Sequence, residues 1–147
     1  MTESPPLSLP EIGVEQIALL ERLSNAVAVS GDESEVRAIV LDAVKPLADE
    51  CSVDALGNVL VTKRAQVENP LRVMLAAHMD EIGVIATHVD EKGFVRFTTI
   101  GGVRPHTCIG GRVKFLDGTS GIIYMERPES ASQLPGIDNL YIDVGAT

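Results

Sequence analysis

The sequence predicts an α/β part followed by an all-β part, with the change near residue 81. Three observations carry this. Two stretches with helical spacing of apolar residues, one from Ile12 to Leu23 and one opening at Ser30-Gly31-Asp32, start the chain. An apolar run rich in Val and Leu, Val73 to Ala77, reads as a buried strand and leads straight into His78-Met79-Asp80-Glu81. From about residue 81 onward, short alternating stretches broken by glycines replace the helical spacing.

Met1 to Pro10, with three prolines and two serines, reads as a loose leader. The first helix has apolar residues at Ile12, Ile17, Ala18, Leu20 and Leu23, with Glu11, Glu15, Gln16, Glu21 and Arg22 between them, which is helical spacing. In the second, Asp32 is an expected N-cap, and Glu35 stands where a capping-box partner belongs. Its apolar stripe is Val36, Ile39, Val40, Ala43 and Val44, and Pro46 disrupts its end. The acids of Gly31 to Glu35 are read as helix-capping groups that favour the helix dipole.

Cys51 to Asp54 and Asn58 to Thr62 are two short strands around the turn formers Gly57 and Asn58. Gln66 to Pro70 is a polar loop before the apolar run. Beyond Gly83, Val84 to Asp90 alternates as a strand, Glu91-Lys92-Gly93 turns, and Phe94 to Ile100 returns. Gly101-Gly102 and Arg104-Pro105 break that strand. Arg112 to Leu116 and Thr119 to Tyr124 form a hairpin across Asp117-Gly118. Glu126 to Gly136 reads as a polar surface loop, and Leu140 to Val144 as a last short strand. No helix is expected in this second half.

Composition narrows the function classes. With 147 residues, 45% of them hydrophobic, the chain can bury a core built from Val, Ile, Leu and Ala, since there are three Phe, two Tyr and no Trp. A formal net charge of -9 argues against nucleic acid and anionic membranes as partners, because both require a basic footprint. Two cysteines, Cys51 and Cys108, are too few for a disulfide scaffold and lie in no C-x-x-C motif, which fits reduced thiols in a cytoplasmic protein. Neither a signal peptide nor a run of eighteen apolar residues is visible.

The chemistry concentrates at His78 and Asp80. Residues two apart on a strand face the same way, so the pair sits side by side. That suits a metal-ligating imidazole with a carboxylate to orient it or to polarise a bound water. The alternative is a strand running out into a polar loop with His78 merely hydrogen-bonded. His88 and His106 read as surface or satisfied polar histidines: the ten extended residues from His78 to His88 span roughly 33 Å, too far for shared ligation unless the chain folds back. The acids Asp90, Glu91, Asp117, Glu126, Glu129, Asp138 and Asp143 fall mostly in turns and loops and read as solvated.

The order of motifs resembles the TET-type metallo-aminopeptidases, a family that includes glutamyl aminopeptidases and proteins labelled endoglucanase M or cellulase. The motifs are SGDESEVR (Ser30 to Arg37), DALGN (Asp54 to Asn58), AAHMDEIG (Ala76 to Gly83), the pair Gly101-Gly102, G-x-V (Gly111 to Val113) and LYIDVGAT (Leu140 to Thr147). The resemblance runs from about residue 14 to the end. It implies that residues 1–80 are the N-terminal portion of a zinc-exopeptidase-type α/β catalytic domain. Residues 81–147 would then be part of a small PDZ-like β domain inserted just after the H-x-D motif and used in assembly. It further implies two divalent metal ions, zinc or cobalt, release of amino acids from peptide N-termini, and homo-oligomers built from dimers into dodecamers. Residue by residue, His78 is similar to the ligand of one metal and Asp80 to the catalytic carboxylate supporting it. Glu81 gains no ligand role, and Gly57, Asn58 and Gly83 are similar to structural positions.

The bridging Asp, the adjacent Glu pair, a further acid and a second His that the family resemblance demands have no counterpart in these residues. The expectation is therefore an N-terminal fragment of a two-metal aminopeptidase, inactive by itself, whose unpaired sheet edges favour self-association. Two rival readings stand beside it. One is a non-catalytic assembly module. The other is a glycan hydrolase, which would require two carboxylates flanking a sugar and is poorly served by a chain without Trp.

Overall fold

The computed structural model describes residues 12–127 and 134–146. The leader Met1 to Pro10 and residues 128–133 of the expected polar loop lie outside the described residues. The fold is mixed α/β, and the chain divides into two compact units. The first comprises Met1–Ala28 and Glu33–Met79, the second Val29–Asp32 and Asp80–Thr147.

In the first unit, helix α1 spans Val14–Asn25 and helix α2 spans Ser34–Val44, followed by a 3-10 turn at Lys45–Leu47. Pro46 sits inside that turn, where a missing N–H is tolerated. The buried core is small: Ala26, Ala28 and Val36, with Leu23, Ile39, Val40 and Met79 packed around it. Strands β1 (Glu50–Val53) and β2 (Val59–Thr62) form an antiparallel hairpin in which Glu50 faces Thr62 and Val53 faces Val59. Asp54 closes its turn by accepting the N–H groups of Leu56 and Asn58, both at 2.9 Å, and the Asn58 amide at 2.8 Å. These donors, the Asn58 side chain foremost, hold the Asp54 carboxyl below its ordinary value. Arg37 on α2 ties the helix to this turn, donating from Nε to the Gly57 carbonyl at 2.9 Å and pairing with Glu33 at 3.3 Å. Gly57 is required there twice over: its φ is +89°, and an added Cβ would meet the Arg37 guanidinium at 2.6 Å.

Three expectations fail in this unit. Glu33, not Asp32, precedes the first residue of α2, and it makes no side-chain cap. Glu35 does not close a capping box; its carboxylate instead accepts the Val27 N–H at 3.1 Å. On α1, Ile17 and Leu20 are both exposed. The largest departure concerns Val73 to Ala77. These residues pair with no strand, and the stretch is open to solvent, with Leu75 93% exposed. An apolar run of this kind reads as buried because it needs partners on both sides. No strand among the described residues supplies them.

The second unit is a five-stranded antiparallel sheet. Its strands are β3 (Gly83–Val89), β4 (Val95–Ile100), β5 (Arg112–Lys114), β6 (Ser120–Met125) and β7 (Leu140–Asp143), in the spatial order β3-β4-β7-β6-β5. Alternation puts Val95, Phe97, Ile123, Leu140 and Ile142 on one buried face. Ile142 is the hinge of the register: it faces Val95 on β4 and Ile123 on β6. Short 3-10 turns at Pro105–Thr107 and Ile137–Asn139 are the helical pieces among the described residues of this unit.

Asp90 does not stand in solvent as the sequence reading expected. Its side chain is 17% exposed and accepts both Nε and Nη2 of Arg96, at 3.0 and 2.9 Å, as well as the N–H groups of Lys92 and Phe94. Desolvation pushes the Asp90 carboxyl up, but the Phe94 N–H, Arg96 and the Lys92 N–H together outweigh it and hold it below its ordinary value. Arg96 also reaches Glu126 at 2.5 Å and lies 5.7 Å above the Tyr141 ring. The guanidinium thus ties the β3–β4 turn to the ends of β6 and β7.

Candidate active site

The site is built around the short segment Val29–Asp32, which lies between the two helices in sequence but belongs to the sheet unit. The Asp32 N–H donates to the Val29 carbonyl at 2.9 Å, closing a four-residue turn. Gly31 has φ +98° in that turn, the left-handed conformation that glycine adopts without a Cβ penalty. Val29 forms an isolated parallel bridge with Glu81. The approach is close enough that a Cβ on Gly83 would overlap Val29 Cγ2. Gly83 is therefore a packing glycine, and the turn is pressed against the chain just after the H-x-D motif.

In this setting the Ser30 hydroxyl donates to Oδ2 of Asp80. Both side chains are half-buried. The sequence analysis treats the acids of Gly31 to Glu35 as helix-capping groups and gives Ser30 no role. The available signal was the turn formed by Ser30-Gly31-Asp32, whose glycine places a hydroxyl at its apex.

The predicted site residues are distributed as follows. Asp80 is in the second unit, held by Ser30; His78 closes the exposed stretch at the end of the first. His88 lies exposed on β3 and His106 exposed in the Pro105–Thr107 turn. No three His, Cys, Asp or Glu side chains gather into a metal-holding group among the described residues. The described residues do not by themselves assemble a metal centre at His78. Cys51 and Cys108 are both free and half-buried. No helix of the described residues is long and apolar enough to cross a membrane.

The α/β unit thus carries His78 near its end, and the antiparallel sheet unit carries Asp80. The M42 glutamyl aminopeptidase family matches residues 57–147, and the chain belongs to it. It is 42% identical over 128 residues to a protein of Acetivibrio thermocellus described as an aminopeptidase, covering 87% of this chain and 38% of that protein. It is 34% identical over 139 residues to the lysyl aminopeptidase of Pyrococcus furiosus, covering 88% of this chain and 39% of that protein. Among solved structures, the aminopeptidase APDkam598 of Desulfurococcus kamchatkensis superposes with a TM-score of 0.80 at 36% identity, over 88% of this chain and 37% of that one. The Pyrococcus horikoshii TET1 peptidase, which can assemble into a tetrahedron or a large octahedral shell, superposes at 0.73 with 29% identity, over 88% of this chain and 40% of that one. The chain thus spans about two fifths of the length of the relatives it matches, at their N-terminal end.

Proposed function

We propose that this chain is the N-terminal part of a two-metal aminopeptidase that removes residues from peptide N-termini, and that it is inactive alone. The observation that carries the reading is the Ala76 to Gly83 motif, with His78 and Asp80 two residues apart, in a chain of this family. His78 would contribute one ligand to a divalent ion, zinc or cobalt. Asp80 would hold the other imidazole nitrogen and so fix the ring's tautomer and direction. The ion would supply Lewis-acid activation, and the remaining ligands and the general base come from outside these residues.

In this proposal, residues 1–80 are the opening portion of the α/β catalytic domain, and residues 81–147 are part of a PDZ-like assembly domain. The exposed run around Leu75 supports the first assignment: it has the composition of a central strand and the exposure of one whose neighbours lie elsewhere in the longer protein. The antiparallel, helix-poor sheet supports the second. The assembly is a cytoplasmic homo-oligomer of dimers, acting on peptides, with free cysteines in keeping with a reducing compartment.

The test is hydrolysis of an aminoacyl anilide by the complete gene product. The expected result is activity that a chelator removes and that His78→Ala lowers by at least about 100-fold, the upper end of what losing an outer partner alone costs. Full activity of that variant refutes the assignment of His78. A stop codon directly after Thr147 would favour the non-catalytic assembly module.

A further inference from the structure

We propose that Ser30 is a positioning residue for Asp80: its hydroxyl holds one carboxylate oxygen and thereby sets the plane and direction of the Asp80 side chain. The catalytic consequence rests on the role proposed above for Asp80; the geometric claim does not.

Three independent features fix Ser30 where it stands. The Asp32-to-Val29 hydrogen bond and the positive φ of Gly31 lock the turn that presents its side chain. The parallel bridge between Val29 and Glu81 sets the height of that turn along the chain beyond Asp80. Gly83, with no room for a Cβ against Val29, lets the two backbones lie that close. The hydroxyl then meets Asp80 Oδ2 across fifty residues of sequence.

A hydroxyl donating to an ionised carboxylate makes a short, charge-assisted bond, stronger than a neutral one. The second torsion of an aspartate is broad and roughly two-fold, so an untethered carboxylate samples a wide range of orientations. Tethering one oxygen removes that freedom. A carboxylate whose task is to hold an imidazole in one orientation works only if its own orientation is fixed, and outer partners of this kind are worth about 10–100-fold in activity or metal affinity.

The experiment has two arms. In the 147-residue chain, the carboxyl 13C signal of Asp80 is assigned by its disappearance in Asp80→Asn. Ser30→Ala is expected to move that signal and Ser30→Thr, which keeps the hydroxyl, to restore it. Ser24→Ala, whose hydroxyl donates to the Leu20 carbonyl within α1, leaves it in place. A signal unmoved by Ser30→Ala, or displaced equally by Ser30→Thr, overturns the proposal. In the complete gene product, Ser30→Ala is expected to lower kcat about 10–100-fold with little change in KM, and Ser30→Thr to recover most of it. A loss confined to KM, or one that Ser30→Thr does not repair, also overturns positioning. Full activity of Asp80→Asn would instead refute the catalytic role of Asp80, and the carboxyl signal would still decide whether Ser30 holds it.

Discussion

Replacing Gly83 by alanine isolates the close approach on which the candidate site depends. Gly83 lies outside the left-handed region that favours glycine, so the effect of the substitution is one of space. The new Cβ would overlap Val29 Cγ2 and lie 3.2 Å from Val29 Cβ. Val29 cannot swing aside cheaply, because a β-branched side chain is stiff at χ1. Overpacking of this kind costs roughly 1–3 kcal/mol. Against it, removing a glycine from the unfolded chain stabilises by about 0.4–1 kcal/mol. The net destabilisation is about 1–2 kcal/mol, which for a unit of this size lowers the melting temperature by roughly 5–15 °C. Gly102→Ala provides the control, since a Cβ there meets nothing within 4 Å. Thermal melts followed by circular dichroism compare the two, and amide exchange at residues 81–83 reports whether the bridge to Val29 has opened. If Gly83→Ala melts with Gly102→Ala and protects those amides equally, the close approach is not what holds the turn in place.

Two further outcomes follow from the same description. Asp54 and Asp90 both have folded-state pKa values below the ordinary 3.8, so each binds fewer protons folded than unfolded in that range. Their contribution to stability is complete above 3.8 and is lost as pH falls through the lower folded value. Asp54→Asn and Asp90→Asn should each flatten the acid limb of stability against pH, measured by melts from pH 5 to about 2, and an unchanged slope in both would contradict the hydrogen-bonded geometry. The exposed apolar run should drive association: light scattering is expected to show oligomers whose size rises with concentration, reduced in Leu75→Asp. A sharp monomer peak at high concentration would count against that.

The second unit was legible in outline because its signals are local. Alternation from Val84 to Ile100, the Asp117-Gly118 turn and the strand from Leu140 each follow from the two-residue period and from turn chemistry. The β1–β2 hairpin was legible for the same reason. What sequence could not supply was the partner of each polar group. Asp90 looks like a turn acid until Arg96, six residues on, is seen to reach back to it. Ser30 looks like part of a helix start until the turn carries it to Asp80. The run Val73 to Ala77 departs for another reason: its apolar pattern records a need for neighbouring strands, and a pattern cannot say where those strands are. The family is legible in the order of motifs, and the candidate pair His78–Asp80 in its spacing; the Ser30 hydrogen bond to Asp80 is visible only in the structure.

The segment Val29–Asp32 has a consequence for how the chain can be cut and reassembled. Because residues on both sides of it belong to the first unit, the chain passes between units at Ala28/Val29, at Asp32/Glu33 and again at Met79/Asp80. The sheet unit is therefore discontinuous, and a piece starting at Asp80 lacks its own Ser30. Its completion requires closing a loop of about fifty residues, a slow, non-local step relative to forming the hairpins. A protease cut at the third passage would leave two peptides joined by the Val29–Glu81 bridge and the Ser30–Asp80 hydrogen bond rather than by a peptide bond. Dividing the protein at the apparent change of texture near residue 81 would keep Ser30 and Asp80 in one piece but separate Val29 from its bridge partner Glu81.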